Sequence, residues 1–131
     1  MNSLLFLGGW TLRAQPVYTD GVPVLPSWPP VVRFVVADGS MQPALQPGDR
    51  VLVSRWTRPR IGHIVVLRDP HTPWRFLIKR VASRTDDGRL VVVGDNPTAS
   101  RDSRAFGAVP LELVVGRAVY RYLPGERRGQ V

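Results

Sequence analysis

At 131 residues the chain is the size of one ordinary domain, with thirteen prolines, twelve glycines and no cysteine. One core of mostly β character is expected, because valine and turn residues outnumber helix-favouring runs. Disulfides, zinc–thiolate sites and a cysteine nucleophile are excluded. The formal net charge is +8, from 18 Lys and Arg against 10 Asp and Glu, and Lys79 is the single lysine among these cations.

Such a charge attracts polyanions, which makes nucleic acid and an anionic membrane face candidate partners. The arginines are scattered and build no nucleic-acid motif, so nucleic acid is not expected; an arginine-preferring proteome explains the charge equally well. His63 and His71 stand in different segments, and neither a metal nor another cofactor is expected.

In chain order, Met1–Trp10 carries an apolar cluster (Leu4, Leu5, Phe6, Leu7) broken by Gly8-Gly9. It falls short of the roughly 20 apolar residues of a bilayer span, and lacks the basic leader and cleavage site of a secretory signal. A soluble protein is expected, cytoplasmic or peripheral at the membrane, with no transmembrane segment. Residues 11–30 are rich in Pro and Gly; together residues 1–30 read as an irregular lead-in packed against a core at 31–122.

The run Val31-Val32-Arg33-Phe34-Val35-Val36 reads as a strand that breaks at Asp38-Gly39-Ser40-Met41-Gln42-Pro43. Proline fixes φ and glycine admits conformations other residues resist, so a tight turn presents Ser40 where a nucleophile would stand exposed. A plain Ser-Met-x-Pro turn between two strands explains this stretch as well. Strands follow at Arg50–Arg55 and His63–Arg68, then at Trp74–Val81, which carries Lys79. Asp86-Asp87-Gly88 is a hairpin signal, and Arg89–Val93 returns as the next strand. Lysine loses its proton on burial where arginine in practice does not, which gives a reason for the lone lysine; a strand-edge lysine with its head in water is the simpler alternative.

Residues 94–107 read as a polar loop in which Asp102 and Arg104 are spaced to pair and Ser100 offers a hydroxyl. Leu111–Tyr122 is the last strand, and residues 123–131 are expected as a tail, frayed from Glu126 onward. Short strands without helical periodicity suggest a coiled or barrel-like antiparallel sheet.

Five blocks occur in order: Gly39-Ser40-Met41-x-Pro43-x-Leu45; Gly48-Asp49-x-Val51-Leu52-Val53; Gly62-x-Ile64-Val65-Val66; Ile78-Lys79-Arg80-Val81; and Gly94-Asp95-Asn96 with Ser100-x-Asp102-Ser103-Arg104-x-Phe106-Gly107, followed by Gly116-Arg117-Ala118. Together, over roughly residues 31–122, they resemble the ordered motif set of type I signal peptidases.

That resemblance implies a serine endopeptidase that removes an N-terminal signal or pro-segment from a precursor polypeptide through an acyl-enzyme. Ser40 would be the nucleophile and Lys79 the general base, with Leu77 and Val81 walling the amine on the same strand face. Ser100 would orient the lysine, and Asp102 and Arg104 would brace the loop beneath it. The Ser40 N–H would be one oxyanion donor, a contribution of roughly 3–4 kcal/mol. The family's second donor is often a hydroxyl two residues before the nucleophile, a position held here by Asp38, which at neutral pH only accepts.

Only fourteen residues lie between Lys79 and Gly94, where many bacterial members carry a large insertion. The chain thus resembles a minimal catalytic core, similar to the small members that mature nickel-type superoxide dismutase, which would make the substrate a short cytoplasmic pro-segment. Two rival readings are a basic β domain that binds nucleic acid or anionic membrane without catalysis, and an autoprotease like the SOS-response repressors. The latter resemblance lacks the block at residues 94–107 and a cut site upstream of the core.

Overall fold

The computed structural model describes residues 4–9, 18–19, 22–23 and 30–131. Its strands are β1 (Leu4–Gly9), β2 (Tyr18–Thr19), β3 (Val22–Pro23), β4 (Val31–Val36), β5 (Arg50–Ser54), β6 (Ile64–Arg68), β7 (Phe76–Arg84), β8 (Leu90–Val93), β9 (Val114–Leu123) and β10 (Gly129–Gln130). Among the described residues the one α-helical turn is α1, Ser103–Phe106.

β2 and β3 pair only with each other; the rest form one antiparallel sheet in the order β1-β4-β5-β9-β6-β7-β8. A further pairing, Leu4 with Phe76, joins β1 to β7 and closes six of these strands into a ring. Alternation decides what fills it. On β4, Val32, Phe34 and Val36 are buried, and the residues between them are not. They join Leu4, Val51, Val53, Ile64, Val66, Ile78 and Ala118 in the inner cluster. Gly116 on β9 has the Ser54 carbonyl where a Cβ would stand, at 2.3 Å, so only glycine lets β9 lie this close to the end of β5.

β6 and β7 are buried on both faces, as a near-continuous apolar run requires. Ile64, Val66 and Ile78 point into the ring, whereas Val65, Leu67, Leu77 and Val81 face a second cluster with Leu90, Val92 and Val109. The segment after β8 folds back over that outer face, with Phe106, Leu113 and Val114 packed against it. The structure thus provides a dry environment outside the ring as well as inside.

Two expectations are corrected. Composition suggests an irregular stretch over 1–30, but Leu4–Gly9 is a ring strand paired from Leu4↔Val36 to Gly9↔Val32. Its glycines sit at and beyond the register shift between Phe6 and Gly8, so the irregularity is accommodated inside the pairing. Much of the remainder of the lead-in lies outside the described residues. The frayed tail is likewise absent: β10 pairs with β9, and Arg127 Nη1 reaches buried Asp49 at 2.6 Å. A buried carboxylate needs a cation, and Asp49 draws Arg121 and Arg127 to it.

Candidate active site

Ser40 opens the turn that follows β4. Gln42 N–H donates to the Gly39 carbonyl at 3.2 Å and Leu45 N–H to the Met41 carbonyl at 3.0 Å. Met41 and Leu45 are fully buried in the inner cluster. They draw the turn inward, so Ser40 is itself 0% exposed, where the sequence suggested an exposed side chain. Its Oγ is buried, with no hydrogen-bond partner among the described residues. Such a group costs free energy unless something else uses it.

Lys79 points to the outer face of β7, opposite Val65 and between Leu77 and Val81 on alternate positions. It is 1% exposed. Burial pushes its amine below the ordinary range; the Asp38 and Asp102 carboxylates partly oppose this, and Arg101 and Arg104 reinforce it. Nζ donates to Ser100 Oγ at 3.2 Å, and Ser100 Oγ donates to Asp102 Oδ2 at 2.9 Å. Among the described residues the lysine forms no ion pair, and the Asp102 oxygens are committed elsewhere. They accept from Gly94 N–H at 2.8 Å and from Arg104 through its backbone N–H, Nε and Nη2 at 3.1, 2.9 and 2.6 Å. Burial acts to raise the Asp102 carboxyl, but these donors hold it well below the usual carboxylate range. Asp102 also caps α1.

The serine turn and the covering segment are locked together. Asn96 N–H donates to the Ser40 carbonyl at 2.9 Å, and its side-chain amide to the Gly39 carbonyl at 3.1 Å. Gly94 sits between them: a Cβ there would meet Ser100 Oγ at 2.1 Å and the Ser40 carbonyl oxygen at 2.7 Å. Arg80, next to Lys79 but on the opposite strand face, grips Asp95 through Nε and Nη2 at 2.8 and 2.7 Å. Asn96 and Asp95 stood in the motif block without an assigned role. Their signal was the polar Gly-Asp-Asn triplet at the end of an apolar strand.

Asp38 is half-buried, and its Oδ1 accepts the Ser40 N–H at 3.0 Å. A cleft of about 430 Å³ opens here, lined by Asp38 and Gly39 of the turn, Asp69 and Arg75 of the β6–β7 connection, Leu77 and Lys79 of β7, and Ala99 and Arg101 of the cover. The structure therefore gathers Asp38, Ser40, Lys79, Ser100, Asp102 and Arg104 from three segments, the serine turn, β7 and the cover, into one neighbourhood. Among the described residues no group of three or more His, Cys, Asp or Glu side chains converges to hold a metal.

The profile of the family described as signal peptidase, peptidase S26, matches residues 30–87 and 82–123. The chain belongs to the signal peptidase family. It is 36% identical to the zebrafish (Danio rerio) mitochondrial inner membrane protease subunit 2, over 70% of this chain and 64% of that protein. It is 34% identical to the Arabidopsis thaliana mitochondrial ATP-independent inner membrane protease subunit 1b, over 65% of this chain and 66% of the relative. To a probable signal peptidase I-1 of Synechocystis it is 27% identical, over 76% and 74% respectively. The chain spans just under two thirds of the length of the two mitochondrial relatives. The signal peptidase profile covers the ring from β4 to β9, including every residue of the site.

Proposed function

We propose that the protein is a serine endopeptidase that cleaves an N-terminal signal or pro-segment from precursor polypeptides, with Ser40 as nucleophile and Lys79 as general base. The observation that carries this reading is Lys79 itself, a buried amine on an apolar face that, among the described residues, bonds a hydroxyl and no carboxylate. A lysine paired with a carboxylate would stay charged; one held by a hydroxyl in a dry wall gives up its proton more readily.

In the proposed cycle the neutral Lys79 amine takes the Ser40 Oγ proton as that oxygen attacks the scissile carbonyl carbon. The resulting ammonium returns the proton to the leaving amine as the C–N bond breaks. Lys79 then takes a proton from a water as that water attacks the Ser40 ester, and returns the proton to Ser40 Oγ as the acyl–oxygen bond breaks, which restores the neutral amine. Ser100 holds the amine in place throughout, and the Asp102–Arg104 pair holds Ser100. The partnerless Ser40 Oγ supports this assignment, since apo catalytic contacts commonly tighten only with substrate bound. The Ser40 N–H is the natural oxyanion donor.

The mitochondrial relatives are named for an inner membrane, and peripheral membrane association goes with the same reading. Exposed Leu5 and Phe6 beside a +8 charge would supply it, and sedimentation with anionic liposomes at low salt tests it. Among the described residues no helix is long and apolar enough to cross a membrane. The decisive experiment is mass spectrometry of precursor peptides incubated with wild type, Ser40→Ala and Lys79→Ala. Cleavage by wild type alone is expected; cleavage that survives Ser40→Ala would reject Ser40 as the nucleophile.

A further inference from the structure

Building on the serine–lysine reading, we propose that Arg75 selects peptides with an acidic side chain a few residues from the scissile bond. Arg75, Leu77 and Lys79 all line the cleft, at alternate positions along one line into β7. At roughly 3.3 Å per residue, Arg75 lies about 13 Å along the chain from Lys79. A peptide extended through the cleft, reacting at the Lys79 end, therefore meets the Arg75 guanidinium about three residues from the reacting bond once the reach of the side chain is allowed for.

The cleft's other charges leave Arg75 uncommitted. Asp69, the acid nearest to it in the chain, is 2% exposed and has both oxygens engaged by other donors. Asp69 accepts the His71 N–H at 2.9 Å through Oδ1 and is paired with Arg101 through Oδ2. Arg101 in turn lies over the Phe106 ring, its guanidinium carbon 5.3 Å from the centroid. Arg75 is half-buried and forms no ion pair among the described residues. Its backbone is pinned, with its carbonyl accepting from Asp69 N–H at 2.9 Å and its N–H donating to the Thr72 carbonyl at 2.9 Å. A fixed backbone with a free, partly desolvated guanidinium is suited to receive a carboxylate.

Asp38 adds the repulsive half of the selection. It stands at the Ser40 end of the same cleft, so an acidic substrate residue beside the scissile bond meets a like charge there. The cleft thus favours an acid at a distance and disfavours one at the bond.

The test is a peptide series in which one Glu is moved residue by residue on both sides of the cleaved bond, each compared with its Gln isostere. Wild type is expected to show a kcat/KM advantage of about fivefold for Glu at one position, the range of a partly exposed ion pair. Arg75→Gln should lose that advantage while still cleaving the Gln peptide, and Arg75→Glu should prefer Lys at the same position. A position-independent advantage, or one that survives Arg75→Gln, overturns the proposal. Fluorescence anisotropy of the same peptides on Ser40→Ala, with and without Arg75→Gln, separates the two readings. If no peptide is cleaved, the serine–lysine reading falls, and the binding preference still decides Arg75: its presence in Ser40→Ala and loss in the double variant uphold the role, and any other pattern overturns it.

Discussion

Asp38 Oδ1 accepts the Ser40 backbone N–H at 3.0 Å, so the donor expected to meet an oxyanion is already engaged by the protein's own carboxylate. Under the proposed mechanism this carboxylate would compete with the substrate for that donor. Asp38→Ser removes the competitor and adds a hydroxyl that donates. We expect kcat to rise about tenfold at neutral pH, a fraction of what a full oxyanion donor contributes. Steady-state cleavage of a single peptide by wild type, Asp38→Ser and Asp38→Asn checks this; a fall in both variants would make the carboxylate a required group.

The pH profile follows from Lys79. Burial lowers its pKa from 10.5, and only the neutral amine accepts a proton, so activity rises with pH through a midpoint below 10.5. Asp38 is the leading charge that favours the ammonium, and Asp38→Asn therefore moves the midpoint to lower pH. The same shift acts on stability. The unfolded chain holds the lysine proton more tightly than the folded one, so Lys79 destabilises the fold at pH values below 10.5, increasingly so down to its folded pKa. Lys79→Met should accordingly raise the urea midpoint at neutral pH while abolishing cleavage.

Gly94→Ala should abolish the proposed cleavage with both Ser40 and Lys79 in place. The added Cβ would sit 2.1 Å from Ser100 Oγ and 2.7 Å from the Ser40 carbonyl oxygen, and the latter is backbone that yields only if the turn moves. A misplacement on the order of 1 Å costs about a hundredfold in rate. The expected result is a loss of that size in kcat, with near-native far-UV circular dichroism.

Asp102 and Arg104 form one pair, yet their removal should differ in cost. Asp102 is 1% exposed and is the acceptor for Gly94 N–H, Ser100 Oγ and Arg104. Asp102→Ala strands these donors and should cost about 3 kcal/mol. Arg104 is 53% exposed, and Arg104→Ala should cost far less than Asp102→Ala, because water screens the pair on its side. Urea unfolding of the two variants measures both.

Much of this was legible along the chain because it is local chemistry. β-branched runs broken by Gly-Asp and Asp-Asp-Gly marked most of the strands and turns between 31 and 93, and a lone lysine among arginines marked position 79. The ordered motif blocks carried the family, which the match over residues 30–87 and 82–123 shows. The edges were less legible. Leu4–Gly9 looked irregular because its glycines hide a strand whose partner, β4, lies more than twenty residues away, and the tail looked frayed because nothing near it announces Asp49 as its anchor.

What only the tertiary structure decided is environment. Ser40 is buried because Met41 and Leu45, its neighbours in the turn, are needed in the inner core. Lys79 is dry because a segment fifteen to thirty residues downstream folds over the outer face of β7. Sequence determines which groups can titrate, donate or turn the chain; solvent exclusion and partner choice are properties of the closed ring. They depend on which distant strands alternate toward one another, and a linear pattern does not contain that.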